Sequence, residues 1–310
     1  MWWFAPAAAQ SADPDELLHL ARERMRHGDF AGVRLVADEA LAVPGDHQRT
    51  AQYLIAMSWE LGGDPTQALA LYDALEQAAG ADVPDDLRFR RAECLGRLAR
   101  YDEARDELRQ LPNVDRPALD QLKIDVLEGI WDLELGRERR GYRGLGDALD
   151  RAEPGVGTYY QAAARHAILA RATDAAALLV FDGSDRAKGK ALEQRAALIE
   201  VGNEQLAEIV RTEETGFALD GFVRLARAHR DLGQDLLDES PLVKLTEAQR
   251  AINRDLLEDK VEAIWTKATL YYDRGLGLAA RMDWTSEPVG TMHAEYDAVV
   301  AMVDRLTARP

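Results

Sequence analysis

Cys94 and six histidines, His19, His27, His47, His166, His229 and His293, are the side chains here best suited to nucleophilic, acid–base or metal chemistry. A reactive thiolate needs a neighbouring base or a helix N-terminus, and Cys94 sits mid-helix between Ala92 and Leu95 with neither. It reads as a buried structural thiol. One cysteine also excludes an intramolecular disulfide and a thiolate metal cluster. The histidines form no His-Glu-x-x-His pair, and only His229 falls on an apolar helical seam. There a hydrogen-bonded core histidine is weighed against a ligand or pH-switching role. Gly141-Tyr142-Arg143-Gly144-Leu145-Gly146 is glycine-rich but lies within a helical segment, without the strand that precedes a phosphate cradle. Acidic pairs at Asp85-Asp86 and Glu213-Glu214 fall at helix ends, where carboxylates complement the helix dipole or simply solvate. No nucleophile, base and oxyanion donor converge, so no catalytic residue, metal ligand or cofactor is expected.

The elements that would position any site are helices. Ala, Leu, Arg, Glu and Asp dominate the 310 residues, runs of β-branched residues are nearly absent, and aromatics make up 7%. An all-α fold follows. With 47% hydrophobic and 30% charged residues the chain can bury a core and still present a hydrated surface. The net charge of −17 argues against nucleic acid, which needs a basic face to release counterions, and against an anionic membrane surface. No stretch approaches the roughly 20 apolar residues of a transmembrane helix. At the start, Met1-Trp2-Trp3-Phe4 followed by small residues at Ala7 and Ala9 resembles the tail of a secretory signal. Export to the periplasm is one expectation from this, and a cytoplasmic protein with an apolar tail is the other.

Four helical hairpins recur. Their turns carry Gly28-Asp29-Phe30, Gly63-Asp64-Pro65, Ala99-Arg100-Tyr101 and Gly136-Arg137-Glu138, and the last residues of these triplets are 35, 36 and 37 apart. The first helix of each hairpin has a small residue at Ala21, Ala56, Ala92 or Gly129, and the second has one at Val33, Ala68, Ala104 or Gly141. Pro44, Pro112 and Pro154 close the first, third and fourth units. A two-helix hairpin cannot bury its apolar stripe alone and needs stacked neighbours, so the period predicts an array.

This pattern resembles the tetratricopeptide repeat over roughly residues 14 to 154. The bulky position in the first helix departs from the family pattern at Arg24 and Asp132, while Trp59 and Leu95 keep it. The resemblance implies a right-handed helical solenoid whose first helices line a concave groove for a protein or peptide partner. Carried over by register, the groove falls on Leu18, Arg22, Met25 and Arg26, then Tyr53, Met57 and Glu60, then Phe89, Glu93 and Arg97, then Val126, Ile130 and Leu133. Aromatic, methionine and arginine side chains are favoured at binding hot spots. Arg22, Arg26 and Arg97 in an acidic protein suit a partner's carboxylates, or else pair with nearby acids.

Beyond Pro154 the spacing changes. The expected organisation is an apolar N-terminal segment (1–13), a repeat domain (14–183) and a C-terminal bundle of longer antiparallel helices (184–310), near 185–212, 216–238, 246–283 and 288–308, with stops at Ser240-Pro241 and Ser286-Glu287-Pro288. Leu257, Val261, Ile264, Ala268, Tyr271, Gly275, Leu278 and Met282 alternate by four and three, as in a coiled-coil seam. Such seams could pair within the chain or between two copies as a homo-oligomer. The function expected is a scaffold or adaptor that grips a polypeptide. The alternatives are a self-assembling structural protein and an enzyme or regulator with its site in the bundle.

Overall fold

The computed structural model describes residues 13–79, 87–111, 117–238, 245–285 and 287–308. The expected N-terminal signal-like segment, Asp85-Asp86, Pro112, Ser240-Pro241 and Ser286 lie outside them. Among the described residues there are thirteen helices and no strand. They fall into two compact units, residues 1–115 and 116–310.

The first unit contains α1 (Pro14–Arg26), α2 (Phe30–Leu41), α3 (His47–Leu61), α4 (Pro65–Ala79), α5 (Leu87–Arg97) and α6 (Tyr101–Arg109). Each helix packs on the next, and α1 also packs on α3. Local chemistry starts the helices: Pro14 occupies the first turn of α1, where its missing N–H costs nothing. Asp13 caps the Asp15 amide at 3.1 Å, and Asp29 caps Gly32 at 2.9 Å. The first core gathers Leu18, Ala21, Val33, Val36, Ala37, Ala40, Ala51, Leu54 and Ile55.

The turns repeat in register. The amides of Asp29, Asp64 and Arg100 bond to the carbonyls of Arg24, Trp59 and Leu95 at 3.0, 2.9 and 2.9 Å. This six-to-one bond closes a helix C-terminus when the residue before the donor is left-handed. Gly28 and Gly63 have φ of 71° and 90°, and Ala99 holds the same conformation at 57°.

The second unit comprises α7 (Ala118–Glu134), α8 (Glu138–Arg151), α9 (Thr158–Ala177), α10 (Asp185–Arg211), α11 (Thr215–Asp238), α12 (Glu247–Arg281) and α13 (Glu287–Thr307). Its first turn has the same geometry, with Gly136 at φ 70° and the Arg137 amide 2.8 Å from the Asp132 carbonyl. Hairpins follow one another as α7–α8, α9–α10 and α11–α12, and the first helices stack in series, α7 on α9, α9 on α11, α11 on α13. The longer helices therefore keep the consecutive pairing of a helical-repeat solenoid. Ala162, Leu169 and Ala176 of α9 share one core with residues of α10 to α13. The α12 seam keeps Val261, Ala268 and Gly275 of the expectation and differs between them. Its buried stripe is Val261, Trp265, Ala268, Tyr272, Gly275 and Ala279, while Ile264, Tyr271 and Leu278 flank it half-buried and Met282 is exposed.

Candidate functional site

The groove positions of the first unit separate into a buried floor and an accessible surface. Leu18, Glu60, Phe89 and Glu93 are buried. Leu18 belongs to the core between α1, α2 and α3, which withdraws it from a partner's reach. Phe89 is 2% exposed and likewise faces inward. Met25, Tyr53 and Met57 are half-buried, and Arg22, Arg26 and Arg97 are exposed. In the second unit Val126 and Leu133 are buried and Ile130 is half-buried. The register transfer thus reached past the surface into helix packing, because neighbouring positions on one helix face alternate between facing outward and facing the adjacent helix.

The floor is organised by Glu60. Its carboxylate accepts from the Tyr72 hydroxyl at 2.7 Å and from Arg90 Nη1 at 3.2 Å, and its carbonyl accepts from Arg97 Nη1 at 2.7 Å. A buried carboxylate is tolerated when donors surround it. Burial first, and the Glu60 charge second, push the Tyr72 phenol well above its ordinary pKa. The same two causes raise the Cys94 thiol, which is buried and free, so it is a packing residue and a poor nucleophile. Tyr53 lies against Tyr72 with ring centroids 5.9 Å apart.

The three arginines read together from the sequence have different attachments. Arg97 is tied to α3 through Glu60. Arg26 pairs with Glu23 on its own helix at 3.2 Å. Arg22 is exposed and makes no ion pair among the described residues. A second cationic centre went unread. Arg91 on α5 bonds to Asp73 of α4 at 3.0 Å and to Glu107 of α6 at 3.1 Å, and also to Glu76. Burial is the largest influence on Glu107 and raises its carboxyl.

In the second unit His229 is buried, its Nδ1 2.8 Å from the Leu225 carbonyl and its ring 5.2 Å from that of Tyr271. Burial lowers its pKa. This is the geometry of a core histidine. His166, one of the six histidines but with no partner legible beside it, has its Nε2 2.6 Å from Asp220 Oδ2 on α11, where Arg224 Nε also bonds at 2.7 Å. Burial would raise the Asp220 carboxyl, but the bonds and charges of His166 and Arg224 outweigh it and hold the pKa at about 2. The pair ties α9 to α11. Arg227 forks onto Glu295 at 2.7 and 2.9 Å, and Tyr272 donates to the same carboxylate at 2.5 Å. Among the described residues no group of three or more His, Cys, Asp or Glu is arranged to hold a metal ion. No helix among them is long and apolar enough to cross a membrane.

Paired helices stacked in series, closed by turns in constant register, define a helical-repeat scaffold. Within it, residues 50–78, which span α3, the Gly63 turn and α4, match the family model of the tetratricopeptide repeat. This is the second of the four hairpins read from the sequence. No curated protein matches the chain. Tetratricopeptide repeats in general serve as scaffolds for protein interaction.

Proposed function

We propose that this protein is an adaptor that holds a polypeptide on the surface formed by the first helices of its N-terminal hairpins. The observation that carries this reading is the composition of that surface over a braced floor. Arg22 and Arg26 on α1 are exposed and Met25 on α1 and Tyr53 and Met57 on α3 are half-buried, while Tyr53 lies against Tyr72, which is bonded with Arg90 to Glu60. Methionine and tyrosine supply adaptable and rigid apolar contact, and exposed arginines supply forked donors for carboxylates. A rigid support spares the partner the cost of ordering its own docking site. The partner chemistry that fits is an extended or helical segment with apolar side chains flanked by acidic ones.

The test compares the tagged wild-type chain with Arg22→Ala/Met25→Ala/Arg26→Ala/Tyr53→Ala and with a control, Leu35→Ala, on the exposed face of α2. Quantitative affinity capture from source cells is followed by titration of the captured partner against each purified variant. A partner held equally by wild type and control, and at least tenfold more weakly by the α1/α3 variant at unchanged helical content, supports the assignment. Equal affinity for all three removes it.

A further inference from the structure

The apolar pattern of α12 changes sides along its length. From Val261 onward its buried stripe faces α11 and α13, but every residue from Glu247 to Leu256 is exposed, and there the large apolar side chains lie on the opposite side. At 100° per residue, Ile252, Leu256, Ala263 and Leu270 fall within about 40° of one another, turned away from Val261, Trp265, Ala268 and Tyr272. Ile252 is 61% exposed, Leu256 57% and Leu270 43%, and Ala263 is exposed too. This line spans roughly 27 Å at 1.5 Å per residue.

Charge says what covers it. Asp255 and Glu262 flank the line on one edge, and Lys260 and Lys267 flank it on the other. None of the four makes a side-chain ion pair or hydrogen bond among the described residues. Each acid precedes a lysine by five positions, a spacing too long for an intrahelical pair and equal to the offset between facing edges of two parallel, in-register helices. An antiparallel mate would set like edges against each other. We infer that the outer face of α12 is a homodimer seam, on which the same face of a second copy lies parallel, Leu256 against Leu256, with Asp255 and Glu262 of each copy pairing Lys260 and Lys267 of the other. The contact is isologous, so it closes at two chains. Asp259 occupies the inward position between Leu256 and Ala263, where two facing carboxylates repel, so the seam is a reversible one.

This inference concerns a surface distinct from the α1/α3 face, and its test leaves that reading untouched. Sedimentation equilibrium of the full chain across micromolar to high-micromolar concentration gives a monomer–dimer isotherm. Ile252→Asp/Leu256→Asp, an exposed pair whose loss spares the core, leaves a monomer. Asp259→Leu lowers the dimer dissociation constant tenfold or more. Asp255→Lys/Glu262→Lys and Lys260→Glu/Lys267→Glu each weaken self-association, and mixing them restores a heterodimer. In a Cys94→Ser background, Leu256→Cys oxidises to a disulfide-linked dimer, as parallel register requires. A wild-type chain that stays monomeric throughout, a dimer indifferent to Ile252→Asp/Leu256→Asp, or failure of the Leu256→Cys cross-link while dimers are present overturns the proposal.

Discussion

Asp132 and Arg137 form an ion pair at 3.3 Å across the α7–α8 turn, five residues apart, with Arg140 joining the same carboxylate at 2.8 Å. At the same register of the first hairpin Arg24 and Asp29 pair at 3.0 Å with the signs reversed. These are the two repeats in which the expected bulky residue is replaced by a charge, whereas Trp59 and Leu95 hold the position elsewhere. A turn residue of opposite sign thus compensates for the missing apolar contact. Asp132 is buried while Arg24 is over a third exposed, so the two pairs differ in value. Asp132→Ala is expected to cost about 1–3 kcal/mol, because two arginines lose their partner. Arg24→Ala should cost under about 1 kcal/mol. Urea unfolding of the two variants side by side checks the order.

Ala99 carries a left-handed φ of 57° where the equivalent turns have glycine. Its Cβ strains a conformation that glycine adopts freely. Ala99→Gly is expected to stabilise the chain by about 0.5–1 kcal/mol despite the entropy glycine adds to the unfolded state. Gly63→Ala, at φ 90°, should destabilise it by a similar or larger amount. Shifts in denaturation midpoint of opposite sign for the two exchanges would confirm the common turn.

Glycines within α7 and α8 differ in what surrounds them. A Cβ on Gly141 would lie 2.7 Å from Leu133 Cδ2 and 2.9 Å from the Gly129 carbonyl, whereas one on Gly146 would meet nothing within 4 Å. Gly141→Ala should cost about 1–3 kcal/mol through forced separation of the helices. Gly146→Ala should add up to about 1 kcal/mol through helix propensity. Thermal unfolding of both variants tests whether the glycine-rich segment serves close packing.

Burial holds His229 below the usual histidine pKa of about 6.5, with Lys267 lowering it further and the Leu225 carbonyl and Glu200 opposing. Below pH 6.5 the unfolded chain therefore binds a proton at this position more readily than the folded one. The stability contribution is complete above about pH 6.5 and is lost as the pH falls towards the folded-state value. The difference in unfolding free energy between pH 7.5 and pH 5 should shrink in His229→Gln. An unchanged difference would mean that the imidazole is protonated as easily in the fold as outside it.

Turn chemistry and helix period were legible from the sequence because they are local. Gly28, Gly63 and Gly136 mark three turns, and the expected helix near 185–212 is α10 at Asp185–Arg211. Side-chain direction was less so. Trp265 and Tyr272 bury where Ile264 and Tyr271 were expected, because either choice keeps the four-and-three spacing around Val261, Ala268 and Gly275. The buried charges were least legible of all. Glu60 looks like a surface residue until Tyr72, twelve positions later, and Arg90, thirty positions later, converge on it. His166 acquires meaning only through Asp220, fifty-four positions away. Such ties depend on which helix faces meet, and a linear pattern does not encode that.

The left-handed turns carry a kinetic consequence. Each joins two helices whose contacts close within one hairpin, so most of the entropy of ordering is met by neighbours a few tens of residues apart. A chain built this way has low contact order, and topology predicts that it folds quickly.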